Sequence, residues 1–186
     1  MILLKHLSFR CADVGEIAKS IGLLQNLETL DVSGTDIHEL LKDIRKLRKL
    51  RHLIGSKLCS IQLKDGIGDM TSLQTLCYVD LDTDGVVELI KELGKLKQIR
   101  ELGLVGVSGD HLSILSSSTS EMQHLEKLYL ESIFKDDDEF IDLHLISLPT
   151  KLRKFTLRTW EATEVARVDS RASKSCCVEV DTLQFN

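Results

Sequence analysis

The chain has 186 residues, a formal charge of −5 and a pI near 5.7. That balance excludes a strongly basic domain of the kind that binds nucleic acid through phosphate contacts. Hydrophobic residues make up 42%, which excludes a disordered chain, while aromatics are only 4%, so leucine has to fill the interior. The five cysteines (Cys11, Cys59, Cys77, Cys176, Cys177) are odd in number and match neither a zinc spacing nor a disulfide framework. Free thiols suit a reducing compartment. The apolar start Met1-Ile-Leu-Leu4 stops at Lys5 and His6, too short for a signal peptide. No apolar run approaches the ~20 residues of a membrane helix. A cytoplasmic location without membrane contact is the expectation.

Taken in chain order, one pattern recurs. Leu4, Leu7 and Phe9 set out the spacing LxxLxL, and Leu27, Leu30 and Val32 repeat it. A weaker copy opens at Leu50 with Leu53 and then Gly55. Further copies follow at Leu73 (Leu76, Tyr78), Ile99 (Leu102, Leu104), Leu125 (Leu128, Leu130) and Leu152 (Phe155, Leu157). The seven starts are separated by 23, 23, 23, 26, 26 and 27 residues. Alternation inside each copy gives a short strand with one inward face. One unit cannot bury that face alone, so the units stack into a parallel ladder with a shared leucine interior. This is an α/β leucine-rich-repeat solenoid of about seven repeats, a curved horseshoe with strands on the concave face and irregular or helical convex segments.

The convex segments are partly legible. Val86, Leu89, Ile90, Leu93 and Leu96 have helical period, with Asp84 as the expected N-cap. Ile37, Leu40, Leu41 and Ile44 read as a shorter helical turn. Leu112 and Leu115 begin another, which the run Ser116-Ser-Ser-Thr-Ser120 is expected to end as a surface loop. The pattern stops after Trp160, whose position predicts an inward turn residue. The expected division is therefore a repeat domain over residues 1–160 and a divergent tail over 161–186. Within the tail, Val178 to Phe185 alternates weakly and reads either as an edge strand or as untethered chain. Leu4 already belongs to a repeat, so the first unit is expected to lack a cap, as in a piece of a longer protein.

Three stretches carry a family resemblance: Leu27-Glu-Thr-Leu-Asp-Val-Ser-Gly-Thr-Asp-Ile37, Leu47-Arg-Lys-Leu-Arg-His-Leu53 and Ile67-Gly-Asp-Met-Thr-Ser-Leu-Gln-Thr-Leu76. Residues 1–160 resemble the repeat region of plant intracellular nucleotide-binding leucine-rich-repeat disease-resistance proteins, of the coiled-coil class. The resemblance implies a protein partner: a pathogen effector, a guarded host protein, or the receptor's own nucleotide-binding domain. Two departures matter. Positions that carry a bonding Asn or Cys in regular repeats hold Ala12, Thr35, Leu58, Leu81, Val107, Ile133 and Trp160, of which only Thr35 bonds through its side chain. No Gly-x-x-x-x-Gly-Lys-Ser/Thr loop occurs, so the nucleotide switch of such receptors is not in this chain.

Alternation also predicts the outward side chains. The first two strands present His6, Ser8, Arg10, Thr29, Asp31 and Ser33. The middle strands present His52, Ile54, Ser56, Thr75, Cys77, Val79, Glu101, Gly103 and Val105, a small and rather apolar stretch. The last two present Lys127, Tyr129 and Glu131, then Lys154, Thr156 and Arg158, a mostly basic end with one aromatic. Tyrosine and arginine are favoured interface anchors. The expected partner surface is twelve residues of this row, His52, Ile54, Thr75, Cys77, Glu101, Val105, Lys127, Tyr129, Glu131, Lys154, Thr156 and Arg158, with its C-terminal half, around Tyr129 and Arg158, suited to an acidic partner. The plainer alternative is a solvated ladder.

Other constellations carry less. Asp136-Asp-Asp-Glu139 lacks the spaced ligands and turn glycine of a calcium loop and reads as a solvated loop. His6 and His52 fall ~10 Å apart, too far to share a metal. Cys77 has no base expected beside it. The sequence therefore predicts a binding module rather than an enzyme, with no metal and no cofactor. The alternative function is a general leucine-rich scaffold or the substrate-recruiting arm of a ubiquitin ligase; an F-box-like segment upstream would favour the ligase, a nucleotide-binding domain the receptor.

Overall fold

The computed structural model describes residues 3–37, 42–58, 63, 66–134, 145–161 and 175–181. Each LxxLxL copy forms one strand, and neighbours in sequence are neighbours in space. The strands are β1 (His6–Ser8), β2 (Thr29–Val32), β3 (His52–Leu58), β4 (Thr75–Asp80), β5 (Glu101–Val105), β6 (Lys127–Phe134) and β7 (Lys154–Glu161). These seven run parallel in sequence order within a single sheet. An eighth, β8 (Ser175–Asp181), pairs antiparallel with β7. Of the two readings of the tail, the edge strand is the one realised over residues 178–181, beginning three residues earlier than the alternation had marked; residues 182–185 lie outside the described residues.

Equal phasing becomes exact register at the strand starts. His6 pairs with Thr29, Thr29 with His52, and so on through Thr75, Glu101, Lys127 and Lys154. One backbone device repeats at every junction. The Lys5 carbonyl accepts hydrogen bonds from both the Glu28 and Thr29 amides, at 2.7 and 2.9 Å. The carbonyls of Glu28, Arg51, Gln74, Arg100 and Glu126 each do the same for the next unit. Before each of β2 to β7 a tight turn closes three residues ahead of the first leucine. The Leu27, Leu50, Leu73, Ile99, Leu125 and Leu152 amides donate to the carbonyls of Leu24, Leu47, Met70, Leu96, Met122 and Pro149. In the first five of these turns the leading residue's own amide bonds back into the convex segment. Pro149 has no amide to donate, and it stands where that bond is dispensable.

The inward columns make one interior. Leu30, Leu53, Leu76, Leu102 and Leu128 are fully buried beside Leu27, Leu50, Leu73, Ile99 and Leu125. The first unit differs: Leu4 is 39% exposed, and Leu7 and Phe9 are only half-buried, since among the described residues β1 has a strand on one side alone. Without an asparagine ladder, strand ends are tied by backbone instead. The Leu81 amide donates to the Val105 carbonyl at 2.8 Å and the Val107 amide to Glu131 at 3.0 Å. Thr35 does bond as expected: buried, its hydroxyl donates to the Val32 carbonyl at 2.7 Å and accepts from the Ile37 amide at 3.3 Å.

The convex side changes character along the chain. The 23-residue units return through 3₁₀ turns at Lys19–Leu23, Lys42–Lys46 and Ile67–Asp69, anchored by buried Ile21, Ile44 and Ile67. Ile37 is buried as well, while Leu40 and Leu41 lie outside the described residues. The 26-residue units return through helices α1 (Val86–Leu93) and α2 (Leu112–Ser120). Two expectations need correction here. The N-cap of α1 is Gly85, in the left-handed region at φ 80°, not Asp84. The serine run is not a loop: Ser116 to Ser120 complete α2. Small side chains let α2 approach α1, where the Cβ of Ser118 lies 3.3 Å from where a Cβ on Gly94 would stand. The buried Thr119 hydroxyl donates back along the helix to the Ser116 carbonyl, and the exposed Ser120 hydroxyl does the same to Ser117.

Candidate concave-face recognition site

The sheet's outer face carries the predicted row with two local changes of register, one between β3 and β4, where Ile54 pairs with Cys77 but Leu58 with Val79, and one between β4 and β5. At the N-terminal side His52, Ile54 and Thr75 are half-buried, and His52 Nδ1 and Thr75 Oγ1 are hydrogen-bonded at 3.0 Å. Alternation then breaks in β4. Thr75 pairs with Glu101 and Leu76 with Leu102, but the next matched pairs are Val79 with Leu104 and Asp80 with Val105. Two residues, Cys77 and Tyr78, thus stand against the single Gly103. This is a β-bulge.

The bulge reverses two expectations. Tyr78 was assigned to the core and is 45% exposed; Val79 was assigned outward and is fully buried. Tyr78 adopts φ 62°, a left-handed conformation unusual for a residue with a Cβ. Gly103 makes the room, since a Cβ there would lie 3.1 Å from the Tyr78 amide nitrogen and 3.4 Å from the Cys77 Cα. Cys77 itself, expected outward, is 8% exposed. Burial, with Glu101 adding a smaller contribution, pushes its thiol up to about 12, so it stays neutral and is no nucleophile at ordinary pH.

The bulge leaves a depression of about 290 Å³ in the outer face, spanning β4 to β7. Eight of the twelve residues proposed for recognition line it: Cys77 on β4; Glu101 and Val105 on β5; Tyr129 and Glu131 on β6; and Lys154, Thr156 and Arg158 on β7. Tyr78 and Gly103, at the bulge, complete its N-terminal wall. His52, Ile54 and Thr75 stand apart from it, towards β3. Lys127 pairs with Glu101 at 3.3 Å just outside. That carboxylate is the main reason the Lys127 ammonium is held above its usual range. Tyr129 is half-buried, and desolvation leads the causes that raise its phenol.

The basic end has a defined arrangement. Lys154, Thr156 and Arg158 alternate with buried Phe155 and Leu157, so all three share the outer face of β7. Across the pair they stand against Lys127, Tyr129 and Glu131. Arg158 is exposed, whereas Thr156 is only 4% exposed and its Oγ1 has no hydrogen-bond partner. Glu131 and Arg158 are register partners, yet no ion pair between them occurs among the described residues. The described residues contain no group of three His, Cys, Asp or Glu able to hold a metal, and no helix long and apolar enough to cross a membrane. Asp136 to Glu139 and the side chain of Trp160 lie outside what is described.

Sequence reasoning missed Tyr78, which it assigned to the core, and placed Gly103 outward without giving it a role in forming the site. Two signals pointed to them. The repeat interval rises from 23 to 26 in this very unit, and a glycine occupies an outward strand position where any polar residue would serve.

Comparison with known proteins bears on the same architecture. The family described as leucine-rich repeat region matches residues 1–186. The chain belongs to that leucine-rich-repeat family. Its relatives include the disease resistance protein UNI of Arabidopsis thaliana, 31% identical over 105 residues, 55% of this chain and 11% of the relative. Another is the Arabidopsis disease resistance protein RPP13, 34% identical over 113 residues, 61% of this chain and 13% of the relative. The rice disease resistance protein RGA5 (Oryza sativa subsp. japonica) is 32% identical over 124 residues, 63% and 11% respectively. The chain thus spans only about a tenth of the length of these relatives. Among solved structures, an internalin of Listeria monocytogenes superposes with a TM-score of 0.52 at 18% identity, over 83% of this chain and 47% of that one. At that identity the likeness speaks for the fold alone. This leucine-rich-repeat chain is therefore homologous to part of plant disease-resistance proteins, in a family whose members serve as protein-interaction modules.

Proposed function

We propose that this chain is the recognition module of a plant immune receptor, acting in the cytoplasm and binding a protein partner across the outer face of its strand ladder. The observation that supports this reading is the convergence of eight outward residues from four strands around one depression, on a scaffold whose relatives are disease-resistance proteins. Three of those residues, Tyr129, Lys154 and Arg158, combine an aromatic anchor with two cations, chemistry suited to a partner surface rich in acids. The partner is a pathogen effector or a host protein that an effector alters.

The test is made in plant tissue with the receptor that carries this segment. The double reversal Lys154→Glu, Arg158→Glu is compared with the parent at equal protein level, reading the defence response to a recognised pathogen. Loss of the response is expected. A response of parental strength overturns the reading. The same experiment separates a second use of this face: if it holds the receptor's own nucleotide-binding domain inactive, the double variant responds without any pathogen.

A further inference from the structure

The bulge leaves one side chain missing from the outer row, and what fits the gap deepens the outer-face reading above, on which it rests. Gly103 on β5 stands between two tyrosines. It is the register partner of Tyr129 on β6, and on its other side the bulge sets Cys77 and Tyr78 of β4 against it. Neighbouring strands lie about 4.8 Å apart, so a ring over Gly103 stands about that far from the tyrosine strand on either side. Aromatic pairs stack at centroid separations of roughly 4.5–7 Å. With both tyrosines in place the depression still holds about 290 Å³, small for a cofactor and enough for one large side chain. Tyr78 is also held there against its backbone preference. Its φ of 62° is a conformation that glycine or asparagine adopts more easily, and its ring, 45% exposed, recovers little of that strain by burial. Strain kept beneath an exposed aromatic is explained by a contact with a partner. The charges around the gap are close to balance. Lys127 holds Glu101, Lys154 has an interaction of its own, and Glu131 and Arg158 are register partners of opposite sign. The Thr156 hydroxyl is enclosed and offers nothing to a visitor. A charged side chain entering here loses its water without gaining a dedicated counter-charge. Charge complementarity therefore selects a neutral occupant, and the two tyrosines select an aromatic one.

We propose that the slot over Gly103 receives one aromatic side chain of the partner protein, stacked between Tyr78 and Tyr129. The missing Cβ lets the ring approach the strand backbone, and Val105, two residues along the same face of β5, meets its edge. Glu131 and Arg158 stay at the rim, where water still reaches them. The contact then has an apolar anchor inside and polar groups around it. The acids of the partner surround this anchor rather than entering the slot.

NMR of the whole chain tests this with four blocked tripeptides as probes: acetyl-Ala-Phe-Ala-amide and its Leu, Arg and Glu counterparts. At millimolar concentrations the Phe peptide is expected to shift the amides of residues 78–79, 103–105 and 129–131. Its own ring protons are expected to move upfield, as they do between two stacked rings. Its affinity is expected to exceed that of each other peptide at least about threefold. Tyr78→Asn removes one wall and suits the left-handed backbone. It is expected to weaken Phe-peptide binding about three- to tenfold while the thermal unfolding midpoint stays within about 4 °C of the parent. Tyr129→Leu keeps an apolar side chain on the other wall and is expected to weaken binding by a similar factor. A tyrosine that serves only the fold gives the reverse, lost stability with unchanged affinity. No binding of the Phe peptide, no upfield movement of its ring protons, or parental affinity in either variant overturns the aromatic slot. So does equal or tighter binding of the Leu, Arg or Glu peptide. Any of these together with a lost defence response in the Lys154→Glu, Arg158→Glu receptor overturns the slot alone. Retained Phe-peptide binding with an unimpaired response in that double variant overturns outer-face recognition instead.

Discussion

The units that span 23 residues and those that span 26 solve one problem in two ways. Both place a strand in the same register and a leucine column in the same interior. The shorter units turn back through three to five residues of 3₁₀ helix around one buried isoleucine. The longer ones turn back through eight or nine residues of α-helix, and α1 alone buries Leu89, Ile90 and Leu93. Extra length on the convex side with an unchanged strand spacing tolerates irregularity on the other face. The first 26-residue unit carries the bulge against β5 at which the depression opens, and the register between its strand and β3 of the preceding 23-residue unit shifts as well, between Ile54 and Leu58. Regular units build the scaffold, and the change of repeat length marks where the surface becomes individual.

The comparison is tested most strongly in the shared interior. Leu102→Ala removes a fully buried side chain and is expected to cost about 2–5 kcal/mol in urea denaturation. Leu4→Ala, in the half-covered first unit, is expected to cost under about 1 kcal/mol. Equal losses would mean that the first unit is packed like the inner ones. Next in size is Gly103→Val. Its Cβ meets the bulge backbone, so a loss of about 1–3 kcal/mol is expected, with the amide signals of Cys77 and Tyr78 displaced. Unchanged stability and spectra would show that the bulge does not depend on this glycine. Ser118→Leu probes the longer units alone. It drives a branched chain against Gly94 and is expected to cost about 1–2 kcal/mol by the same measurement. The smallest effect concerns Cys77. Iodoacetamide at pH 7.5, followed residue by residue in peptide masses, is expected to label exposed Cys11 well before Cys77. Because the folded thiol ionises near 12 and the unfolded one near 9.0, the unfolded state releases its proton first as pH rises. Cys77's contribution to stability is therefore intact below pH 9 and declines progressively between pH 9 and 12.

Much of this architecture is written in spacing alone. Strand positions, order and register follow from seven equally phased copies, because every leucine column has only one way to be buried. The bulge was less legible. In Leu76-Cys-Tyr-Val-Asp-Leu81, cysteine, tyrosine and valine are each at home on either face, so period-two alternation could not locate the inserted residue. The α2 serines misled for a different reason. Serine is a weak helix former in isolation, but here contact with α1 needs small side chains, and packing outweighs propensity. At the site, alternation put Tyr129, Lys154, Thr156 and Arg158 on one face, yet only three dimensions reveal that the Thr156 hydroxyl is enclosed and unsatisfied.

The doubled amide bonds at every strand start carry a genealogical consequence. Each carbonyl from Lys5 to Glu126 receives the same two donors whatever side chain it bears. Duplicating or excising a whole unit would therefore leave these backbone bonds intact on either side, while convex contacts such as Ser118 against Gly94 would need refitting. A gene built this way is free to gain and lose modules by unequal exchange while its concave surface is rewritten strand by strand.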